Sequence, residues 1–247
     1  FARAAVAPDA ELGYPYQGMT CWIGDQPFLK VNLKGQRFAL ESADYDYLPH
    51  AAAQQPGGVY ISVWDGNFGE DVQRFHTLGC SAMTRNMVLG SKKEDGTYDL
   101  DKFFEKELAD GRLQKADTLD ELADKLGFDA EAKKTFLATC ERYNELYDKQ
   151  NDEDFGKPAY RLSAIRTAPF YGCWLGASLL TTEQGIAINE KGQALDTNNQ
   201  PMEGLYITGD MSGSFFANNY PCLMAGVAMG RTLTFAMKAI KQMAGLE

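Results

Sequence analysis

Residues 204–234, which begin Gly-Leu-Tyr-Ile-Thr-Gly-Asp and end Gly-Arg-Thr-Leu-Thr, constrain the fold of this chain more than any other stretch. Residues 205–208 form a short apolar, β-prone run, which predicts a buried strand. The run ends at Gly209 and Asp210, a loop rich in Gly, Ser and Asn follows, and a helical pattern begins after Pro221. The stretch therefore predicts a strand, a loop and a helix in succession.

Small residues recur on one side of the predicted helix, at Ala225, Gly226, Ala228 and Gly230. They would let a backbone or a flat ring come close, and the first free N–H groups of the helix would face an electron-rich ligand edge. Asp210, at the carboxyl end of the strand, is placed to accept hydrogen bonds from ligand hydroxyl groups. An ordinary strand–loop–helix of a protein core would show the same pattern, so both interpretations stay open.

The spacing of this stretch carries a family resemblance. Gly-Leu-Tyr-x-x-Gly-Asp, then Ala-Asn-Asn-Tyr-Pro and a helix reaching Gly-Arg, resembles the C-terminal FAD-contacting segment of the fumarate reductase flavoprotein family, which includes urocanate reductases and 3-ketosteroid dehydrogenases. In that family the acid binds the ribityl chain of FAD, and backbone N–H groups at the helix start meet the pyrimidine edge of the flavin. The resemblance therefore implies FAD as the cofactor, held by Gly209, Asp210 and the backbone of Met224 and Ala225.

The resemblance also implies a domain organisation. The family begins with a Gly-x-Gly-x-x-Gly turn that cradles the FAD pyrophosphate, whereas this sequence has no such motif and opens with Phe1. We therefore expect a fragment, a processed chain or one piece of a larger protein, with an α+β fold. Residues 1–165 would form a substrate-capping (lid) domain, and residues 166–247 the C-terminal strand–loop–helix portion of a Rossmann-like FAD-binding domain. The expected partner is the missing N-terminal FAD-binding portion or a separate FAD-binding chain, without which the chain is expected to be inactive.

A second resemblance lies in the predicted hairpin of residues 28–38. Its Asn-x-x-Gly-x-Arg-Phe-x-x-Glu pattern, residues 32–41, resembles the hairpin that opens the family's capping domain. There, an arginine eight residues beyond the hairpin arginine delivers a proton to the substrate, and the same count from Arg37 leads to Tyr45. A phenol can act as a general acid in its place. The alternative is a surface tyrosine that packs on a neighbour.

Two further substrate positions of the family also carry neutral residues here. The histidine that holds a substrate carboxylate corresponds to Thr181, and a carboxylate-clamping arginine corresponds to Asn219. Because a dicarboxylate needs charge-assisted partners, this set suits a neutral or weakly polar substrate. Tyr220-Pro221 resembles the Tyr-Pro of ketosteroid dehydrogenases, so Tyr220 with the N–H of Met224 would polarise a carbonyl; the alternative is a tyrosine packed under Pro221. The glycines that follow in that family are absent here.

The middle of the chain carries local signals for a structural scaffold. Val59–Trp64 alternates as a central strand does, and a strand begins near Pro169 in a segment expected to return to the flavin domain. A Thr118-x-x-Glu121 capping box predicts a helix that stops at Gly127. A second helix is predicted over residues 130–148, with a core-facing stripe at three-to-four spacing: Phe136, Leu137, Cys140, Tyr143, Asn144 and Tyr147.

Composition excludes several classes of partner. The net charge of −10 argues against binding to nucleic acid or to an anionic membrane surface. No apolar run approaches the ~20 residues of a membrane-spanning helix. Only two histidines, His50 and His76, make a metal site unexpected, and the structural interpretation of His76 is favoured over a substrate-facing one. The five scattered cysteines are expected to be buried free thiols.

Together these features predict an FAD-dependent oxidoreductase that reduces or desaturates a carbonyl-activated C–C bond of a small molecule by hydride exchange at flavin N5. The alternative is a non-catalytic binding or assembly module that keeps the flavoprotein fold. Retention of Gly209 and Asp210 favours the enzyme, while the replaced arginine and histidine positions favour the module. The substrate, the direction of reaction, the electron donor and the compartment stay open.

Overall fold

Helices and strands are mixed along the chain, as the sequence predicts. A computed structural model of the protein describes residues 2–5, 26–43, 47–77, 81–90, 92–96, 104–109, 111–177, 184–216, 220, 224 and 226–246. The strands in these residues are β1 (Ala2–Ala5), β2 (Leu29–Val31), β3 (Val59–Trp64), β4 (Leu113–Ala116), β5 (Phe170–Ala177), β6 (Gln193–Leu195) and β7 (Pro201–Tyr206). The α-helices are α1 (Tyr47–Ala53), α2 (Phe68–Arg74), α3 (Ala82–Gly90), α4 (Glu105–Ala109), α5 (Leu119–Lys125), α6 (Ala130–Lys149) and α7 (Val227–Met243).

Two compact units divide the chain, Phe1–Ser178 and Leu179–Glu247. The division follows β5, so it lies later than the boundary expected between residues 165 and 166. The reason is that β5 pairs along its length with strands of the first unit. Residues 166–178 belong to the first compact unit, and the expected division into a capping domain and an FAD-binding domain stays a prediction.

The first unit is built on an antiparallel sheet with β5 and β3 at its centre. β5 pairs with β3 over six residues, from Trp64 opposite Tyr171 to Val59 opposite Gly176. The other edge of β5 pairs with β4 at its start and with β1 at its end, and β2 extends the sheet beyond β3. The prediction that Val59–Trp64 is a central strand is confirmed. β1 is formed by residues 2–5, for which the sequence carries no strand signal.

Alternation along β3 separates two cores, one on each face of the sheet. Tyr60 and Trp64 join an aromatic cluster with Phe28, Phe68 and Tyr171, in which the rings of Trp64 and Tyr171 stack at 6.0 Å. Ile61 and Val63 point to the other face, where α5 and α6 cover them. Both faces of β3 are therefore buried, which explains why all six of its residues are inaccessible to solvent.

Helices α5 and α6 form where the local sequence signals predict them. Thr118 accepts a hydrogen bond from the Glu121 N–H at 3.1 Å, so the cap of α5 is confirmed. α6 runs from Ala130 to Lys149, one residue beyond the prediction. Of the predicted stripe, Phe136, Cys140 and Tyr143 are buried, and Leu137, Asn144 and Tyr147 are half-buried. The stripe is part of the core.

The predicted hairpin at residue 35 exists, but its return strand is reduced to a single bridge between Val31 and Arg37. The turn is closed by Asn32, whose side-chain oxygen accepts from the N–H groups of Lys34 and Gln36. Gly35, at φ +72°, packs against the backbone of α6, and its carbonyl accepts a 2.8 Å bond from Thr139. The turn is therefore held by the helix rather than by a sheet.

A buried ion cluster, defined here as Arg37, Glu41, Asp152, Lys157 and Tyr143, joins this hairpin to the end of α6. Arg37 donates two bonds to each carboxylate, at 2.6 and 2.8 Å in both cases. Lys157 donates to the Tyr143 hydroxyl and to the Pro27 carbonyl and lies 3.4 Å from Glu41. Arg37 and Lys157 hold the pKa of Glu41 below its usual value despite burial, which favours its charged form.

The second unit contains a β6–β7 ribbon and the long helix α7. β6 and β7 are joined by residues 196–200, a turn in which the Asp196 side chain accepts from the N–H groups of Asn198 and Gln200. One face of α7 is exposed and apolar, and this apolar stripe consists of Met229, Leu233, Met237 and Ile240. Within the described residues, no helix is both long and apolar enough to cross a membrane.

Candidate functional site

The turn that carries Asp210 follows β7 directly, as predicted. Gly209–Met211 forms one 3₁₀ turn in which Gly209 has φ +71° and Asp210 is exposed. The preceding strand differs from the prediction, since it spans Pro201–Tyr206 and its residues are exposed or half-buried. The prediction of a buried strand at residues 205–208 is wrong because β7 pairs only with the short β6 among the described residues. An apolar run reports β-propensity, and burial depends on what covers it.

The turn is fixed by three donors to one carbonyl. The Gly209 oxygen accepts from the Ser212 N–H at 3.0 Å, from the Ser212 hydroxyl at 2.7 Å, and from the guanidinium of Arg231 on α7. Behind the turn, Gly185 lies so close to Met211 that a Cβ on Gly185 would sit 1.9 Å from the Met211 carbonyl oxygen. The backbone around Asp210 is therefore tightly held, and residue Asp210 itself is exposed.

The start of α7 lies later than predicted. The helix begins at Val227, with Gly226 as its N-cap at φ +83°, whereas the sequence predicted helix from just after Pro221. Met224 is exposed and precedes the first helical residue by three positions. The Val227 N–H donates to the Met224 carbonyl at 3.2 Å and the Gly230 N–H to the Gly226 carbonyl at 2.8 Å, so these two groups already have partners. The flavin contact of Met224 that the family resemblance implies stays a prediction.

The glycines at this helix start leave open space. A Cβ added at Gly226 or at Gly230 would meet no atom within 4 Å. An uncrowded backbone at a helix N-terminus and an exposed aspartate on the turn that contacts this helix are features that a flat, hydroxyl-bearing ligand can use. These residues therefore fit the flavin and ribityl parts of FAD.

Only some of the predicted site residues can be located. Gly209, Asp210 and Met224 lie as described above, and Tyr220 is half-buried in the loop before α7. Tyr45, Thr181, Asn219 and Ala225 lie outside the described residues, so their roles stay predictions.

The histidines and cysteines are structural or peripheral where they are described. His50 and His76 are both exposed, and the His76 ring lies 6.3 Å from that of Tyr160. Cys140 and Cys173 are buried free thiols as predicted, and burial raises the pKa of Cys140. Cys21, Cys80 and Cys222 lie outside the described residues. Among the residues that the structure describes, no cluster of His, Cys, Asp or Glu could hold a metal ion.

Sequence reasoning missed one residue of this site, Arg231. It was noted only as the end of a small-residue helix, yet its guanidinium contacts the Gly209 carbonyl from across the unit. The available signal was a single arginine among the small and apolar residues that begin the helix, one residue after Gly230.

Comparison with known proteins gives consistent matches. Residues 23–222 match the family model described as an FAD binding domain. The vinyl phenol reductase of Lactiplantibacillus plantarum is 27% identical over 221 residues, covering 88% of this chain and 43% of the relative. The 3-oxosteroid 1-dehydrogenase of Mycolicibacterium smegmatis is 30% identical over 224 residues, covering 85% of this chain and 37% of the relative.

Among solved structures, the 3-ketosteroid Δ1-dehydrogenase of Sterolibacterium denitrificans, in complex with 1,4-androstadiene-3,17-dione, matches with a TM-score of 0.68 at 21% identity, covering 100% of this chain and 43% of that one. At this identity the match shows a shared fold. The chain spans less than half the length of these relatives. Because the family model matches most of the sequence, the chain belongs to the FAD binding domain family of flavoprotein oxidoreductases, and FAD is the cofactor that this membership indicates.

Proposed function

We propose that this chain is part of an FAD-dependent oxidoreductase that reduces or desaturates a carbonyl-activated C–C bond in a neutral or weakly polar small molecule. The observation that carries the proposal is the exposed Asp210 on a turn fixed by three donors to the Gly209 carbonyl. The relatives that the chain matches are oxidoreductases acting on CH–CH groups. Their activity is proposed here for the protein that carries this chain.

The residues proposed to hold FAD lie in the second unit. Asp210 accepts hydrogen bonds from the ribityl hydroxyls, and Gly209 allows the backbone to turn sharply beneath them. Backbone N–H groups of Met224, Ala225 and the start of α7 meet the polar edge of the flavin ring. When bound, FAD supplies a hydride donor or acceptor at N5 of the flavin.

The substrate class follows from three neutral side chains. Tyr45, Thr181 and Asn219 stand where the resemblance to fumarate reductases calls for two arginines and a histidine. A carboxylate substrate would lose its charge-assisted bonds at these positions, whereas a neutral one needs none. Two of the relatives are named for neutral molecules, a vinyl phenol and a 3-oxosteroid. The three replaced positions favour a neutral enone as the substrate.

Two tyrosines are proposed to carry the proton chemistry. The Tyr220 hydroxyl, with a backbone N–H of the loop before α7, donates to the carbonyl oxygen and so withdraws electron density from the reacting C–C bond. The Tyr45 hydroxyl delivers the proton to the substrate carbon in reduction, or removes it in desaturation.

The two units are proposed to have different roles. The first unit would act as the cap that covers the substrate and excludes water, and the second as the C-terminal part of an FAD-binding domain. The apolar stripe on α7 supports the second assignment, because four large exposed apolar side chains on one helix face are typical of a surface that another element covers. We propose that the preceding FAD-binding portion, or a separate chain, provides that cover.

The experiment that tests the proposal is the absorbance spectrum of the purified protein containing this chain together with the pyrophosphate-binding portion. We expect the two bands of an oxidised flavin, which bleach on reduction with dithionite, and turnover with neutral enones or vinyl phenols. A protein that stays colourless after incubation with excess FAD would contradict the proposal. That result would favour a non-catalytic module with a flavoprotein fold, the second candidate, which rests on the replaced arginine and histidine positions.

A further inference from the structure

Arg231 occupies an unusual position for a charged side chain. It is 5% exposed, on the buried side of α7, and its Cζ lies 4.8 Å and 5.4 Å from the ring centroids of Phe216 and Phe215. Its Nη2 donates to the Gly209 carbonyl. The guanidinium is thus held by two aromatic rings and one backbone oxygen.

Two of its donors have no acceptor. Within the described part of the chain, Nε and Nη1 of Arg231 are buried and make no hydrogen bond, and no carboxylate pairs with the charge. The buried Arg37 of the first unit is the contrast, since two carboxylates bind it. A buried cation with unpaired donors destabilises a fold, because the lost water contacts are not replaced. Stability therefore does not explain Arg231.

The bond that Arg231 does make lies next to the proposed cofactor contact. Gly209 has φ +71°, and its carbonyl is also the acceptor for both Ser212 donors, so this oxygen sets the geometry of the turn. Thr232, the next residue of α7, approaches a Cβ position at Gly209 to 3.7 Å. The direction of the Asp210 carboxylate is therefore coupled to α7 through residue 231.

We propose that Arg231 is a positioning residue for FAD binding, which clamps the Gly209 carbonyl to α7 and so fixes the direction of the Asp210 carboxylate. The inference rests on the proposed function, because Asp210 needs a fixed direction only if it binds the cofactor. It predicts that removal of the guanidinium weakens FAD binding without weakening the apo fold.

The test compares R231M with R231K in the FAD-binding protein that carries this chain, with FAD removed and then titrated by fluorescence. We expect R231M to raise the FAD Kd by about tenfold, as loss of one charge-assisted bond does, and to alter the bound flavin spectrum. The thermal midpoint of the apo protein should stay equal or rise. R231K keeps a charged donor and should recover part of the affinity. K238M is the matched control, because Lys238 on the same helix donates to the Glu190 carbonyl at 2.9 Å and should leave the Kd unchanged.

A double-mutant cycle that combines R231M with D210N tests whether Arg231 affects FAD binding through Asp210. If Arg231 acts through Asp210, R231M adds less than about twofold to the Kd of D210N, since coupled sites are not additive. Additive effects, or a lowered midpoint with unchanged Kd and spectrum, would overturn the inference while the proposed function stands. If R231M does not fold, R231Q decides, because it removes the charge and shortens the donor, and unchanged FAD affinity in a normally folded R231Q contradicts the clamp. A parent protein that binds no FAD overturns the proposed function and this inference with it.

Discussion

At the scale of single residues, the proposed chemistry depends most on Tyr220, the one proposed catalytic side chain that lies within the described residues. Replacing it by Phe keeps the ring and removes only the hydroxyl. We expect Tyr220→Phe to lower kcat by about 10²-fold with little change in FAD affinity, because general acid groups contribute rate factors of that order. Steady-state kinetics with a neutral enone measure this. A kcat within about twofold of the parent value would show that the hydroxyl takes no part.

A second prediction concerns how stability depends on pH, because the amino group of Lys157 is buried. Burial lowers its pKa to about 7 even though the Glu41 carboxylate opposes this shift. In the unfolded chain the same group keeps its proton up to pH ~10.4. Between these values the unfolded state binds more protons than the folded state, so stability rises with pH. We expect the free energy of unfolding to increase by up to about 2 kcal/mol from pH 7 to pH 9.

Urea denaturation at the two pH values measures this effect, and Lys157→Met should remove most of it. Lys149→Met is the control, because Lys149 is exposed and pairs with Glu153 on the surface. The free energy of unfolding of Lys149→Met should change with pH as that of the parent protein does. A free energy of unfolding that falls between pH 7 and pH 9 in the parent would show that Lys157 keeps its proton in the folded state.

At the scale of elements, the turn at Gly35 and the end of α5 provide a matched pair. Both Gly35 and Gly127 have positive φ, but a Cβ at Gly35 would lie 2.4 Å from the Ala132 carbonyl oxygen, and one at Gly127 would meet no atom within 4 Å. We expect Gly127→Ala to cost about 1 kcal/mol through backbone strain alone, and Gly35→Ala to cost about 3 kcal/mol or more. Chemical denaturation compares the two variants. Equal losses would show that the hairpin moves away from α6 at little cost.

The elements also show what could be predicted from sequence. The start of α5 could be predicted because the capping residue Thr118 lies only three residues before its partner Glu121. α6 could be predicted because its buried residues recur at helical spacing within one continuous segment. β1 was not, since Ala2–Ala5 has no strand signature and becomes a strand by pairing with residues 175–177 at the other end of the unit. The Gly209-Asp210 pair was enough to predict that Asp210 lies on a turn. The exposure of the preceding strand could not be predicted, because exposure depends on neighbours distant in sequence.

At the scale of the whole molecule, the two units should respond separately to substitution. In the first unit, Arg37→Met would leave Asp152 buried without its cation and Glu41 with Lys157 alone, and breaking a buried pair costs about 3–5 kcal/mol. Arg142→Met is the control, because Arg142 is half-exposed on α6 and meets its carboxylates at the surface, so little stability should be lost. Neither substitution should change the FAD Kd, since neither residue lies in the second unit.

In the second unit, we expect Asp210→Asn to weaken FAD binding with little effect on the stability of the apo protein, which is the opposite of the effect of Arg37→Met. The side chain is exposed, and the amide keeps its size and one acceptor oxygen, so the free energy of unfolding of the apo protein should stay within about 0.5 kcal/mol of the parent value. FAD affinity should fall by about 10–100-fold, because bonds to a charged acceptor are worth about 1.5–3 kcal/mol. Binding stabilises by RT ln(1 + [FAD]/Kd), about 2.7 kcal/mol at a hundredfold excess over Kd, so this variant should also lose most of the thermal shift that FAD gives the parent. If Arg37→Met weakened FAD binding as strongly as Asp210→Asn, cofactor binding and the stability of the first unit would be coupled, and the separate roles proposed for the two units would be wrong.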